Sequence, residues 1–292
     1  VETPVIGSMP LHALSALWLA FTLFSAPAGG GLLEKIFAPK ADLWVRWTPH
    51  VPNSAARIDH SAWDRWLSRY LVPGADGINR VAYSRVSTRD LAALADYVGH
   101  LQDQPVGRFS RDQQLAFWIN LYNALTVKTV LEHYPVASIR DIDISPGVFV
   151  DGPWRVKLVE IDGEPVSLDD IEHRILRSIW KNPRVHYALN CASLGCPNLQ
   201  PTAFTPANTQ ALLEQAARDF VNHPRGVRLE GDALVVSSIY AWFGSDFDED
   251  GGVISHVTRY AAPSFAPRLE GVQHVDRYEY DWRLNEAHNV TR

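Results

Sequence analysis

Two cysteines, Cys191 and Cys196, stand in one short stretch, "HYALNCASLGC", of a chain that has no others. A thiol reacts as its thiolate, so a nucleophilic cysteine needs a histidine, a cation or a helix N-terminus beside it. His186 opens the same stretch, and His173 lies upstream next to Glu172. A Glu-His-Cys set would use the carboxylate to orient the imidazole and the imidazole to take the thiol proton. Cys191 is therefore the candidate nucleophile, with His186 or His173 as base and Glu172 as orienting group. Backbone amides around Asn190–Ala192 are candidate donors to a developing oxyanion. The same residues also suit a small Cys191–Cys196 disulfide loop, or a zinc site completed by His173 and His186.

The elements that must carry these groups follow from patterning. "RVHYALN" (184–190) alternates and is rich in β-formers, so it reads as a strand leading into Cys191. Strand alternation alone turns His186 away from Cys191 unless the chain bends at Asn190. "SLDDIEHRILRSIW" (167–180) reads as a helix with Ser167 as cap and acids in its first turn. "SRDQQLAFWINLYNALTVKTVLEHY" opens with a Ser110/Gln113 capping box and continues almost wholly apolar, which predicts a helix buried on nearly all sides. Asn120 and Asn123 sit within it on one face, and buried amides must either clamp backbone or line a site. Helices are also expected over 87–102 and 208–223, and from "DHSAWDRWLSRYL", with Trp63, Trp66, Leu67 and Tyr70 on one face. A short strand or extended loop is expected at 77–86, a strand at 155–161, and a hairpin with a Gly-Asp turn at 227–237. Residues 29–58, with three prolines, read as an irregular wrapping arm. The class is α+β, mostly helical with a small antiparallel sheet.

The whole chain sets outer bounds. Its 292 residues, 46% hydrophobic, suffice for a sizeable core. A net charge of -6 and a pI near 6.0 leave no basic field for a nucleic acid. Residues 11–24 are apolar and are followed by "APA" at Ala26–Ala28, which reads as a secretory signal or N-terminal anchor over 1–28 ahead of one domain at 29–292. A periplasmic or secreted protein is expected, touching a membrane only through an uncleaved leader. Phosphate-loop, nucleophile-elbow, zinc-protease and dinucleotide motifs are missing from the sequence, and no cofactor is expected.

The blocks "DHSAWDRWL", "LAFWINLYNALTVKTVL", "SLDDIEHRILR", "RVHYALNCASLGCPNL", "VVSSIYAWFGSDF" and "YEYDWRLN" occur in the order seen in the domain of unknown function 547 family, across most of 55–286. The resemblance implies a papain-like or transglutaminase-like α+β fold, as it stands or permuted, with a cysteine nucleophile. Its motif positions are Asn120, Asn123, Glu172, His173, His186, Asn190 and Cys191; Cys196 matches the bacterial form of the motif. One departure stands out: both histidines precede Cys191, whereas a papain-like enzyme has its cysteine first, on a helix N-terminus. The expectation is an exported cysteine-dependent hydrolase or transferase acting on amide bonds of peptides or on thiol-containing peptides. Cys191, His186, His173 and Glu172 would be catalytic, and Asn120, Asn123, Asn190, Ala192 and Cys196 would line the substrate. The alternative is a non-catalytic module that holds a peptide or a small, glutathione-like thiol in the same cleft.

Overall fold

The structure is a computed structural model, and it describes residues 40–147 and 151–287. The apolar run at 11–24, the "APA" site and the first part of the expected arm lie outside the described residues. No helix among the described residues is long and apolar enough to cross a membrane.

Three helices build the first half: α1 (Ser61–Tyr70), α2 (Thr88–Gln102) and α3 (Arg111–His133). Each keeps its expected apolar face, and α1 buries Trp63, Trp66, Leu67 and Tyr70. Ser87 caps α2 by accepting from Asp90 N–H, and Ser110 caps α3 by accepting from Gln113 N–H at 3.3 Å. The reciprocal half of that box is not made, because the Gln113 side chain is buried without a partner. Every residue of α3 from Gln113 to Val127 is buried, as its unbroken apolar character requires. Two hairpins flank the helices: β1 (Leu71–Pro73) with β2 (Asn79–Val81), and β3 (Val159–Ile161) with β4 (Glu164–Val166). The strand expected over 155–161 is thus shortened to its last three residues. The arm at 40–58 is irregular, as expected, and docks by backbone bonds from Asp42 to His173, Trp44 to Arg174 and Val51 to Phe109.

The second half packs α5 (Thr209–Val221) and α7 (Gly252–Tyr260) around a sheet ordered β5 (Val227–Glu230), β6 (Ala233–Ser237), β7 (Arg277–Glu279). β5 and β6 are the expected hairpin, but β7 lies parallel to β6. The sheet is therefore mixed, not purely antiparallel. A parallel neighbour needs a long crossover, and α6 (Ile239–Trp242), the 3₁₀ segment Gly244–Asp250 and α7 supply it. The two halves have separate apolar cores, the first centred on α3 and the second on α5, β6 and α7.

Between them runs the segment with the cysteines, and here the backbone departs most from expectation. Residues Asp170–Leu176 form a π-helical stretch that passes into α4 (Arg177–Trp180). Ser167 caps it as expected, accepting from Asp170 N–H at 3.2 Å. Residues 184–190 are not a strand: Pro183–Tyr187 form a 3₁₀ turn. Pro183 fits the first helical position, and Asn182 Oδ1 accepts from Arg184 N–H at 3.1 Å, so a cap and a proline outweigh the β-rich composition.

Candidate functional site

Cys191 follows this turn in a loop that other segments hold down from both sides. Asn123, on α3, donates from Nδ2 to Ala188 O at 2.8 Å and accepts from Asn190 N–H at 2.9 Å. Asn190 donates to Pro197 O at 2.7 Å, closing the loop across its ends. The C-terminal stretch supplies the other side: Leu194 N–H donates to Arg283 O and Gly195 N–H to Asp281 O, each at 2.8 Å, and Asn285 N–H to Ala192 O at 3.0 Å. A Cβ on Gly195 would lie 2.7 Å from Asp281 N, so only glycine allows this approach. Ala192, fully buried, holds φ +60, a left-handed conformation that a non-glycine residue adopts at a cost.

The two sulfurs meet inside this loop as free thiols. Cys191 N–H donates to Cys196 Sγ at 2.9 Å, and the Tyr280 hydroxyl donates to Cys196 Sγ at 3.1 Å. The same hydroxyl lies 3.0 Å from Cys191 Sγ, with Ser193 Oγ 3.3 Å from that sulfur. Burial pushes the Cys196 thiol up, but hydrogen bonds from the Cys191 thiol, the Tyr280 hydroxyl and the Cys191 amide outweigh it and bring the thiol down to about 7. Cys191, which faces the negative charge on its neighbour as well as burial, is raised well above the ordinary thiol value. Cys196 is thus the more acidic of the two thiols, while Cys191 is the more exposed.

The histidines belong to a second cluster. Residues four apart along this segment meet: Asp169 Oδ1 lies 3.6 Å from His173 Nε2, and Arg177 Nη1 donates to His173 Nδ1 at 3.1 Å. Arg177 grips Asp246 with Nε at 2.6 Å and Nη2 at 3.0 Å, a two-point guanidinium–carboxylate pair. His186 Nε2–H donates to Asp246 Oδ2 at 2.8 Å, which fixes the proton on Nε2 because a carboxylate only accepts. Its Nδ1 makes no hydrogen bond, and Glu172 Oε1 is 3.7 Å away. Tyr122, the neighbour of Asn123 on α3, donates to Glu172 Oε2 at 3.2 Å. Phe243 stacks on the His186 ring at 4.3 Å and lies 4.6 Å from the Arg177 guanidinium. Burial raises Glu172, but the charges of His173, His186 and Arg177 hold it down to about 2. Asp246 is likewise raised by burial and held well below the carboxylate range by His186 and Arg177.

Glu172, His173 and His186 are therefore brought together, and Cys191 and Cys196 are brought together, but among the described residues no imidazole hydrogen-bonds a sulfur. The amides expected to form an oxyanion pocket are spent: Asn190 N–H on Asn123, Cys191 N–H on Cys196, and Ala192 N–H on Asn190 Oδ1 at 3.0 Å. Asn120 clamps in the same way as Asn123, donating to Phe204 O at 2.7 Å and accepting from Phe204 N–H at 2.9 Å. Among the described residues no group of three His, Cys, Asp or Glu could hold a metal ion.

Residues 106–221 match the family described as Protein of unknown function, DUF547. The DUF547 segment contains α3, the π-helical stretch and both cysteines. Comparison with curated proteins gives no match, and comparison with solved structures gives none either. Tyr280 and Asp246, the partners that complete the two clusters, lie outside the segment. Sequence reasoning did not select them, nor Arg177, Tyr122 and Ser193. The signal was present in the blocks "WFGSDF" and "YEYDWRLN", whose Asp246 and Tyr280 are polar groups in aromatic surroundings.

Proposed function

We propose that this chain is a cysteine-dependent enzyme with Cys191 as nucleophile, acting on amide bonds of peptides. The observation that carries the reading is the placing of the Tyr280 hydroxyl against both sulfurs, 3.0 Å from Cys191 Sγ and 3.1 Å from Cys196 Sγ. Cys191 passes its proton to Cys196, and its thiolate attacks the carbonyl carbon. The C–N bond breaks, the leaving amine takes the proton from Cys196, and water hydrolyses the thioester. The Glu172–His186–Asp246 array orients the turn ahead of the nucleophile. The papain-like form of the fold belongs to the same proposal. What supports it is the likeness of the motifs; it has to accommodate a thiol in a loop and histidines that hold carboxylates. An exported location, read from the leader-like N-terminus, also belongs here.

The nearness of the two thiols favours a second reading, in which the Cys191 thiolate attacks a small disulfide, releases one half as a thiol and keeps the other as a mixed disulfide, which Cys196 then displaces to leave a Cys191–Cys196 disulfide. Mass-resolved labelling with iodoacetamide tests the common core. Labelling of Cys191 should rise through pH about 7, where Cys196 loses its own proton and becomes able to take the one on Cys191, and that step should vanish in Cys196→Ser. A Cys191 inert at that pH, or peptide turnover unchanged in Cys191→Ala, would sink the enzyme reading. Intact mass with and without reductant separates the two: a reducible adduct means thiol capture.

A further inference from the structure

The Arg177–Asp246 pair also forms part of the wall of a cavity of about 360 Å³. That volume lies within the roughly 300–1,000 Å³ of small-molecule sites. Leu43, Lys181, Asn182, Ser245 and Glu249 share the wall. Its charged groups are two cations, Arg177 and Lys181, and two acids, Asp246 and Glu249. Arg177 and Asp246 are committed to each other. The side chains of Lys181 and Glu249 make no hydrogen bond or ion pair among the described residues, with each other or with anything else.

Lys181 and Glu249 come from different elements. Lys181 ends α4, and Glu249 sits in the 3₁₀ segment, with the Arg177–Asp246 pair tying the two elements together. Lys181 holds φ +48 and ψ +35, a left-handed helix end where glycine is the usual residue. Lys181 is exposed at the edge of the cavity and keeps this backbone conformation at some cost in strain. A simple anion entering this cavity meets two carboxylates, and a simple cation meets two positive groups. A ligand carrying both charges meets one free partner for each.

We propose that the cavity binds a small zwitterion, an amino acid or dipeptide with free ends, its carboxylate on Lys181 and its ammonium on Glu249. Charge-assisted hydrogen bonds to both ends orient it, and Leu43 offers an apolar edge for a small side chain. The site is separate from the thiol pair, and its occupancy does not require Cys191 to react.

Isothermal titration of the whole protein with glycylglycine, N-acetylglycylglycine and glycylglycine amide tests this. Glycylglycine should bind saturably at millimolar concentration or below, and each capped probe about tenfold more weakly, one lost charged contact apiece. Lys181→Met should weaken glycylglycine about tenfold yet leave the amide-capped probe unchanged, and Glu249→Gln should do the converse with the acetylated probe. Lys181→Gly suits the left-handed backbone and repeats the test should Lys181→Met fold poorly. No saturable binding of glycylglycine, or binding indifferent to capping or to both substitutions, overturns the proposal.

Discussion

At the scale of single residues, the decisive group is Tyr280, because one hydroxyl reaches both sulfurs. Cys196 titrates near 7 only while its hydrogen-bond donors hold the thiolate, so removing a donor must raise that value. Thiolate absorbance should accordingly show a midpoint near pH 7 in the native protein. Tyr280→Phe should move it upward, and Cys196→Ser should abolish the step, leaving only the high Cys191 titration. A midpoint indifferent to Tyr280 would mean that the phenol plays no part in holding the charge. "HYALNCASLGC" made both thiols visible, but their partner lies 84 residues beyond Cys196 in the chain. No local pattern links the two.

At the scale of elements, α3 is the scaffold of the site. Asn120 and Asn123 each hold one donor and one acceptor of distant backbone, and neighbouring Tyr122 reaches Glu172. Removing either amide leaves a buried carbonyl and N–H unpaired, so Asn120→Ala and Asn123→Ala should each cost about 2–4 kcal/mol in urea unfolding. Only Asn123→Ala should also change the iodoacetamide rate of Cys191, because only that clamp holds the residue before the nucleophile. Equal labelling in both variants would reduce Asn123 to a purely structural role. Apolar periodicity and caps made α1, α2, α3 and α5 legible. The 184–190 segment was misread because its composition favours a strand, while Asn182 and Pro183 start a turn.

At the scale of the whole molecule, buried ionisable groups join distant segments and make stability depend on pH. Glu172 is depressed from 4.5 to about 2, so its contribution is complete above the unfolded value and is lost as pH falls toward 2. That window corresponds to a loss on the order of 3 kcal/mol from this group, with Asp246 adding in the same direction. His60, neutral in its buried site and bonded to the Tyr97 hydroxyl, is lowered by burial from 6.5 to about 4. Unfolding lets it take up a proton, so stability also falls as pH drops from 6.5 to about 4. Denaturant unfolding across pH should show both slopes. Glu172→Gln should flatten only the lower one and His60→Gln only the upper, and a single slope unmoved by either would contradict these assignments.

Taken alone, the sequence determined the α+β class, the buried central helix, most helix caps and the α1 apolar face, and it set the two thiols in one short stretch. Those are properties of short windows, where periodicity, capping and turn residues act within a few positions. Which groups stand beside the sulfurs was decided only by tertiary structure. The 280–285 stretch closes on the cysteine loop, and the π-helical stretch sets His173 on Arg177 and Glu172 beside His186, while Arg177 and His186 both bond Asp246. A carboxylate binds an imidazole more strongly than a thiol does, so the histidines went to the acids and the cysteines were left to each other and to the Tyr280 hydroxyl.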